Sequence, residues 1–193
     1  MKLIKIQLFF AFFFLASPVF AAVATDGLEG YWKFDETSGL AASDSSGHSN
    51  GGTLTGAPSI STTVPITTFS NVRSLDFDGT GDYVTMGDKS NLEVEGSLPF
   101  SISVWFRPNA SPGAESTYAL VTKGTASGQG YALQYEQISS NFVINLSKYG
   151  VVDQRVTITE LNTSTWYHLV AVQRSSEVEY YINGVSQGTY SNA

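Results

Sequence analysis

The 193-residue chain has no cysteine, and it has only ten Lys and Arg side chains against seventeen Asp and Glu. Without cysteine no disulfide can form, so the domain must be held by its core or by a bound metal ion. The net charge of −7 disfavours nucleic acid and anionic membranes as partners, because both attract proteins through Lys and Arg. Acidic clusters can instead hold a hard cation.

Histidine is also scarce, since His48 and His168 are the only two in the chain. His168 lies in an apolar segment, where a structural histidine is expected, and His48 lies in a polar loop. A nucleophilic triad built on a histidine base is therefore not indicated.

The chain begins with the arrangement of a secretory signal peptide. Lys2 and Lys5 precede an apolar run over Leu8–Leu15, and small residues follow at 21–24. The run is too short to span a membrane, and its all-round apolar character disfavours an amphipathic anchor. We therefore predict that the first 24 residues are removed, that the protein is secreted or lies at the cell surface, and that no membrane insertion follows. Residues 25–193 are predicted to form one domain.

The stretch Phe100–Pro108 carries the clearest structural signal. Large apolar residues alternate with Ser, Trp and Arg, and this period of two puts the first set on one face of a strand. Such a face needs a second layer, and no convincing amphipathic helix follows the leader. We therefore predict an all-β, two-sheet antiparallel sandwich with this strand in its middle.

Other segments fit the same fold. Trp166–Arg174 is apolar on both faces over much of its length, as expected for a buried central strand. The Asn183–Gly184 pair predicts a tight hairpin. A second hairpin is predicted at 78–82, between strands at Arg73–Phe77 and Tyr83–Met86.

Six segments carry a family likeness when they are taken in order. They are Gly30–Glu36, Asp44–Gly47, Leu75–Val84, Phe100–Pro108, Trp166–Val170 and Tyr181–Gly184. Together they resemble the bacterial concanavalin A-like, laminin G-like domain. The resemblance implies a jelly-roll sandwich in a secreted or surface protein, often as one module of a larger chain. It also implies closing strands after the Asn-Gly hairpin, so we expect a domain that is incomplete at its C-terminus.

A calcium site is the first candidate for function. It would be built on the polar loop Asp35–Gly56, because Gly-rich loops can turn backbone oxygens inward and calcium prefers oxygen ligands. The candidate ligands are Asp44, Ser46, Gly47, Asn50 and Gly52. Members of the superfamily commonly hold a structural calcium beside an equivalent loop, so the resemblance implies one here. The alternative is a solvated loop closed by Asx-type turns.

Glycosidase chemistry is the second candidate, because some relatives of this fold cleave β-glucans with acids aligned on one strand. The nearest matches are the pair Glu93 and Glu95 and the pair Glu177 and Glu179, and both lack the third acid that those relatives carry. We predict that the protein is not an enzyme, with a β-glucanase as the alternative.

Sugar recognition by exposed aromatic rings is the third candidate. Ten Tyr and three Trp exceed what the core needs, and sugars stack on flat rings through their C–H faces. The rings expected on polar strand faces or in loops are Trp105, Tyr135, Tyr149 and Tyr181. The alternative is that these rings pack between strands.

The sequence thus predicts a secreted, non-catalytic binding or adhesion module whose partner is a glycan or an extracellular protein. It is expected to be one module of a larger chain. A structural spacer within a larger surface protein is a further alternative.

Overall fold

The computed structural model describes residues 26–94, 99–109, 117–124, 130–138, 141–148, 154–158, 161–174 and 176–191. These residues form thirteen β-strands and one turn of 3-10 helix at Ser90–Leu92. The strands are β1 (Ala41–Ala42), β2 (Gly52–Thr55), β3 (Ser59–Ser61), β4 (Ser74–Asp76), β5 (Tyr83–Thr85), β6 (Phe100–Phe106), β7 (Thr117–Gly124), β8 (Gly130–Ile138), β9 (Asn141–Lys148), β10 (Gln154–Ile158), β11 (Tyr167–Arg174), β12 (Glu177–Ile182) and β13 (Val185–Ser191). No helix within the described ranges has the length and apolar character needed to cross a membrane. The predicted leader and Tyr149 lie outside the described residues.

Two four-stranded antiparallel sheets form the body of the domain. One has the strand order β13-β12-β11-β6, and the other has the order β10-β9-β8-β7. Alternate side chains of both sheets meet in one core, in which Leu133 and Ile144 of the second sheet and Leu169 and Tyr180 of the first have no exposed surface. This is the arrangement that period-two alternation predicts, so the prediction of an all-β sandwich is confirmed.

Two buried tyrosines fix the core through their hydroxyl groups. The backbone N–H of Leu146 in β9 donates to the Tyr180 hydroxyl in β12 at 2.8 Å, and this bond is buried between the sheets. The backbone N–H of Asn162 donates to the Tyr167 hydroxyl, also at 2.8 Å. Each phenol therefore contributes an apolar ring to the core and a polar partner to a backbone group.

Strand β6 lies at the edge of its sheet, whereas β11 lies inside it. β11 pairs with β12 on one side and with β6 on the other, so the prediction that Trp166–Arg174 contains a central strand is confirmed. Phe106 is buried and Phe100 packs half-buried against the core, as their inward register requires. The predicted middle position of β6 is wrong, because an alternating pattern reports which face a residue takes and not how many neighbours its strand has.

The Asn183–Gly184 pair closes the β12–β13 hairpin as predicted. Asn183 has φ 50° and Gly184 has φ 78°, and this pair of left-handed conformations is what a two-residue type I′ turn needs. Asn and Gly are the residues that adopt them at least cost.

The hairpin predicted at 78–82 is wrong. β4 pairs with β3, and β5 pairs with β2, so the two strands leave the turn into different sheets. The turn itself forms, because the Asp78 N–H donates to the Asp82 carboxylate at 3.0 Å and the Thr80 N–H donates to the Asp78 carboxylate at 2.7 Å. Turn chemistry therefore fixed the local bend without fixing which strands pair.

Two small sheets, β1-β2-β5 and β3-β4, are formed by the N-terminal part of the domain. The polar segment Asp35–Gly56 contains β1 and β2, which pair through Ala41 with Thr53 and Ala42 with Gly52. The remainder of that segment is a loop, and it bends around Asp44.

Candidate functional site

The Asp44 carboxylate is the centre of the polar loop. One of its oxygens accepts the backbone N–H groups of Tyr31 at 2.9 Å and of Ser46 at 2.8 Å. The other accepts the Ser46 hydroxyl at 2.7 Å and the Asn50 N–H at 2.9 Å. Burial by itself would raise the pKa of this carboxyl, but the bonds from the Ser46, Tyr31 and Asn50 N–H groups outweigh burial and lower the pKa to about 2.

Asn50 and Trp32 fasten this loop to the preceding segment. Asn50 is only 1% exposed, and its Nδ2 donates to the Glu29 carbonyl at 2.7 Å. The Trp32 indole N–H donates to the Asn50 carbonyl at 2.9 Å, while the Trp32 backbone forms a bridge with Asp44. The Trp32 ring also lies over Gly30, where a Cβ would collide with it. The loop is therefore closed by hydrogen bonds and by one packed ring.

The predicted calcium ligands do not fit calcium as they are arranged. Both Asp44 oxygens are engaged by N–H and O–H donors, whereas the ion needs six to eight oxygens aimed at one point. Gly52 pairs with Ala42 in a strand, and Gly47 is exposed. No group of three or more His, Asp and Glu side chains within the described ranges could hold a metal ion. The loop shows the alternative arrangement, closed by turns around Asp44, and calcium binding itself stays a prediction.

A ring pair stands on the outer face of the β13-β12-β11-β6 sheet. Trp105 and His168 are cross-strand partners, and their rings stack with centroids 4.9 Å apart and an interplanar angle of 17°. Ser103 Oγ lies 2.8 Å from His168 Nε2, and the His168 backbone N–H donates to the Asn183 side chain at 2.8 Å. Burial lowers the pKa of the His168 imidazole, so this ring is neutral at pH 7.

An open cleft of about 840 Å³ lies beside these rings, and we call it the Trp105 cleft. It forms where β6 ends, β11 begins and the β12–β13 turn comes close, with part of the loop after β3 completing one wall. Its lining residues are Thr63, Val64, Ile66, Trp105, Arg107, Ser164, Thr165, Trp166, His168, Asn183 and Gly184. The cleft therefore combines flat rings, hydroxyl groups and one guanidinium.

Residues 78–193 match the family model described as the concanavalin A-like lectin/glucanases superfamily. The chain belongs to this superfamily. No significant match was found among curated proteins or among solved structures. The family assignment agrees with the jelly-roll sandwich and confirms the resemblance. The name of the superfamily covers both sugar-binding and sugar-cleaving proteins, so the site must decide between them.

The structure places the aromatic residues that the sequence predicted to bind sugar in different positions. Trp105 lines the Trp105 cleft. Tyr181 is on the same outer face, because it pairs with Val170, and Val170 also pairs with Ser103. Tyr149 lies outside the described residues.

Tyr135 was expected on a polar face, and that expectation is wrong. It is only 7% exposed and packs in the core, with its ring centroid 5.4 Å from Phe106 and 5.3 Å from Tyr118. Burial raises the pKa of its phenol. Its cross-strand partner is Ile144, a core residue, which explains the inward position.

Three neighbouring side chains hold the Glu179 carboxylate of the acid pair on β12. Tyr181, Arg174 and Ser186 all bond to the Glu179 carboxylate, with Arg174 Nη1 at 2.9 Å and Ser186 Oγ at 3.3 Å. The Tyr181 hydroxyl is the largest influence, and these bonds lower the pKa of Glu179. The general acid of a retaining glycosidase stays protonated through a raised pKa, so the lowered pKa of Glu179 does not suit that one of the two carboxyl roles.

Arg107, Trp166 and His168 are cleft residues that the sequence reasoning did not select. The signal for Arg107 was present, because it follows Trp105 by two residues and therefore takes the same face. No local sequence pattern points to Trp166 or to the loop after β3, because the fold brings them to the cleft from distant parts of the chain. Trp166 lines the cleft, and its indole nitrogen is buried without a partner among the described residues.

Proposed function

We propose that this domain is a non-catalytic binding module that recognises carbohydrate at the Trp105 cleft. The observation that carries the proposal is the stacked pair of Trp105 and His168 at an open, concave surface. A sugar ring presents a C–H face that packs on a flat indole and a rim of hydroxyl groups that need hydrogen-bond partners. Thr63, Ser164 and Thr165 supply such partners at the rim of the cleft.

Tyr181 extends the same surface. It lies two strands away from Trp105 and two residues further along the sheet. Strand spacing and rise place the two Cα atoms roughly 12 Å apart, which suits an oligosaccharide better than a single sugar. The proposal therefore names a chain of sugars as the ligand.

Three observations support this function over catalysis and over an intracellular role. Glu179 is held as a carboxylate by Arg174 and Tyr181, which does not suit a general acid. The leader-like segment at residues 1–24 supports secretion. The superfamily match supports a lectin-like module, and we propose that it acts as one module of a larger surface protein.

A glycan array with three proteins tests the proposal. The wild type should bind a set of oligosaccharides, and Trp105→Ala should weaken that binding roughly tenfold or more, because an aromatic stacking surface is lost. Tyr83→Ala is the matched control, since Tyr83 is 51% exposed but lies away from the cleft. Trp105→Phe keeps a ring and should retain most of the affinity, and circular dichroism checks that each variant folds.

Two results would overturn the proposal. Unchanged glycan binding by Trp105→Ala would show that the sugar site lies elsewhere, and an array without hits would favour a protein partner or a spacer.

For the enzyme alternative, Glu177→Gln and Glu179→Gln are compared with wild type in a β-glucan release assay. Release by the wild type that both substitutions abolish would establish a β-glucanase instead.

A further inference from the structure

Charge is distributed unusually in the Trp105 cleft. The whole chain has a net charge of −7, yet the described residues that line the cleft include one cation, Arg107, and no carboxylate. His168 lies in the same wall and is neutral at pH 7 because burial lowers its pKa. The residues that line the cleft therefore carry one positive charge, on the Arg107 guanidinium.

Arg107 is positioned by a neutral amide. Its Nη1 donates to Asn109 Oδ1 at 3.1 Å, and Asn109 Nδ2 donates to the Asp76 carboxylate at 2.6 Å. The amide thus stands between the guanidinium and that acid. Among the described residues no carboxylate forms an ion pair with Arg107. A guanidinium has five N–H donors, and within the described part of the chain one donor of Arg107 has a partner, so a ligand can bond to the others.

Arg107 also has a fixed relation to the stacking ring. Trp105 and Arg107 are two residues apart at the end of β6, so their side chains leave the same face with Cα atoms roughly 7 Å apart. One ligand can therefore rest on the indole and reach the guanidinium with a substituent. A carboxylate or a sulfate is the group that matches the guanidinium fork, because both accept two parallel N–H bonds.

We propose that the Trp105 cleft selects acidic saccharides, with a sugar ring on Trp105 and its carboxylate or sulfate on Arg107. This inference rests on the proposed carbohydrate binding and adds the class of sugar. A neutral glycan uses the ring and leaves the guanidinium without a charged partner. An acidic peptide uses the guanidinium and has no rigid C–H face for the indole.

Calorimetry with paired polymers tests the inference. Polygalacturonate is compared with its methyl ester, and dextran sulfate is compared with dextran, so that within each pair only the anionic group changes. The wild type should bind the charged member of at least one pair roughly tenfold or more tightly. The pair that shows the preference identifies a carboxylate or a sulfate as the recognised group. Added salt should reduce the preference.

Two substitutions at and beside Arg107 locate the effect. Arg107→Gln should abolish the preference, so that the charged and the neutral member of each pair bind with similar affinity. Asn109→Asp keeps Arg107 but places a carboxylate within bonding distance of it, and it should weaken only the charged polymer. Arg155→Gln is the matched control, because it removes the same charge from β10 in the other sheet and should change neither.

The outcomes separate this inference from the proposed function. Equal binding of charged and neutral polymers that still depends on Trp105 would overturn the inference and leave carbohydrate binding intact. Binding of poly-glutamate as tight as that of polygalacturonate would also overturn it, because the ring of the sugar would then contribute nothing. Absence of binding to all four polysaccharides would overturn both.

Discussion

Replacing Asp44 by asparagine removes one charge from a loop that four donors hold together. The substitution keeps one acceptor oxygen and turns the other into an NH₂ group, which then faces an N–H donor such as that of Asn50. A hydrogen bond to a charged group contributes about 1.5–3 kcal/mol, and losing it leaves a half-buried donor unsatisfied. We expect Asp44→Asn to lower the free energy of unfolding by about 2 kcal/mol.

The pKa shift of Asp44 gives a similar estimate of its contribution to the free energy of unfolding. Its pKa falls from 3.8 in the unfolded chain to about 2 in the folded domain. At about 1.4 kcal/mol for each pH unit this amounts to roughly 2 kcal/mol, and solvent screening at a half-buried group lowers it to about 1–2. Because the folded pKa is depressed, this stabilisation is fully present above pH 4 and is lost as the pH falls towards 2.

Urea unfolding at pH 7 and at pH 2, followed by tryptophan fluorescence, measures both effects. Asp78→Asn is the matched control, since the Asp78 carboxylate is exposed and its Oδ1 accepts one N–H bond, from Thr80. The control should stay within about 0.5 kcal/mol of wild type. The difference between wild type and Asp44→Asn should shrink at pH 2. Equal stability of the two Asn variants at pH 7 would refute the role given to Asp44.

The other two predictions concern metal and the core. A chelator such as EDTA should leave the melting temperature unchanged, because the Asp44 oxygens are already engaged. A fall of several degrees on chelation, reversed by calcium, would instead support the calcium site predicted from the sequence. Tyr180→Phe should lower the free energy of unfolding by about 1–3 kcal/mol, since the buried Leu146 N–H loses its acceptor. Tyr190→Phe is the control, because it removes a half-buried hydrogen bond to a backbone carbonyl. An equal loss of unfolding free energy in the two variants would contradict the role given to the buried Tyr180 hydroxyl.

How far the sequence predicts this fold is clear from β6 and Tyr135. Period-two alternation correctly placed Phe106 in the core and Trp105 outside it, because pleating fixes the side of each residue. It could not predict that β6 lies at a sheet edge, which depends on strands far away in the chain. Tyr135 was expected on a polar strand face or in a loop, yet most of a phenol ring is apolar and the pairing with Ile144 places it inward.

The candidate site could be predicted less completely than the fold, because it too depends on segments that are far apart in the chain. Trp105 was selected by its own alternation, and Arg107 follows from the same period. The cleft around them needs the loop after β3 and the β12–β13 turn, more than a hundred residues apart in the chain. Proximity of that kind follows from sheet packing and leaves no local pattern. The Asp44 loop shows a second limit of sequence reasoning. The sequence identifies the residues that carry oxygen atoms, but it does not show that backbone N–H groups of the loop already donate to the Asp44 oxygens.

The Asn109 amide has a practical consequence for preparing this protein. Asn109-Ala-Ser is an acceptor sequence for N-linked glycosylation, and the attachment atom is the same Nδ2 that bonds to Asp76. A glycan there would lie beside Arg107 and would compete with the polysaccharide that we propose as the ligand. A yeast or insect host would attach such a competing glycan, so ligand screening is best done with bacterially expressed protein or with Ser111→Ala, which removes the acceptor sequence and keeps the Asn109 amide beside Arg107.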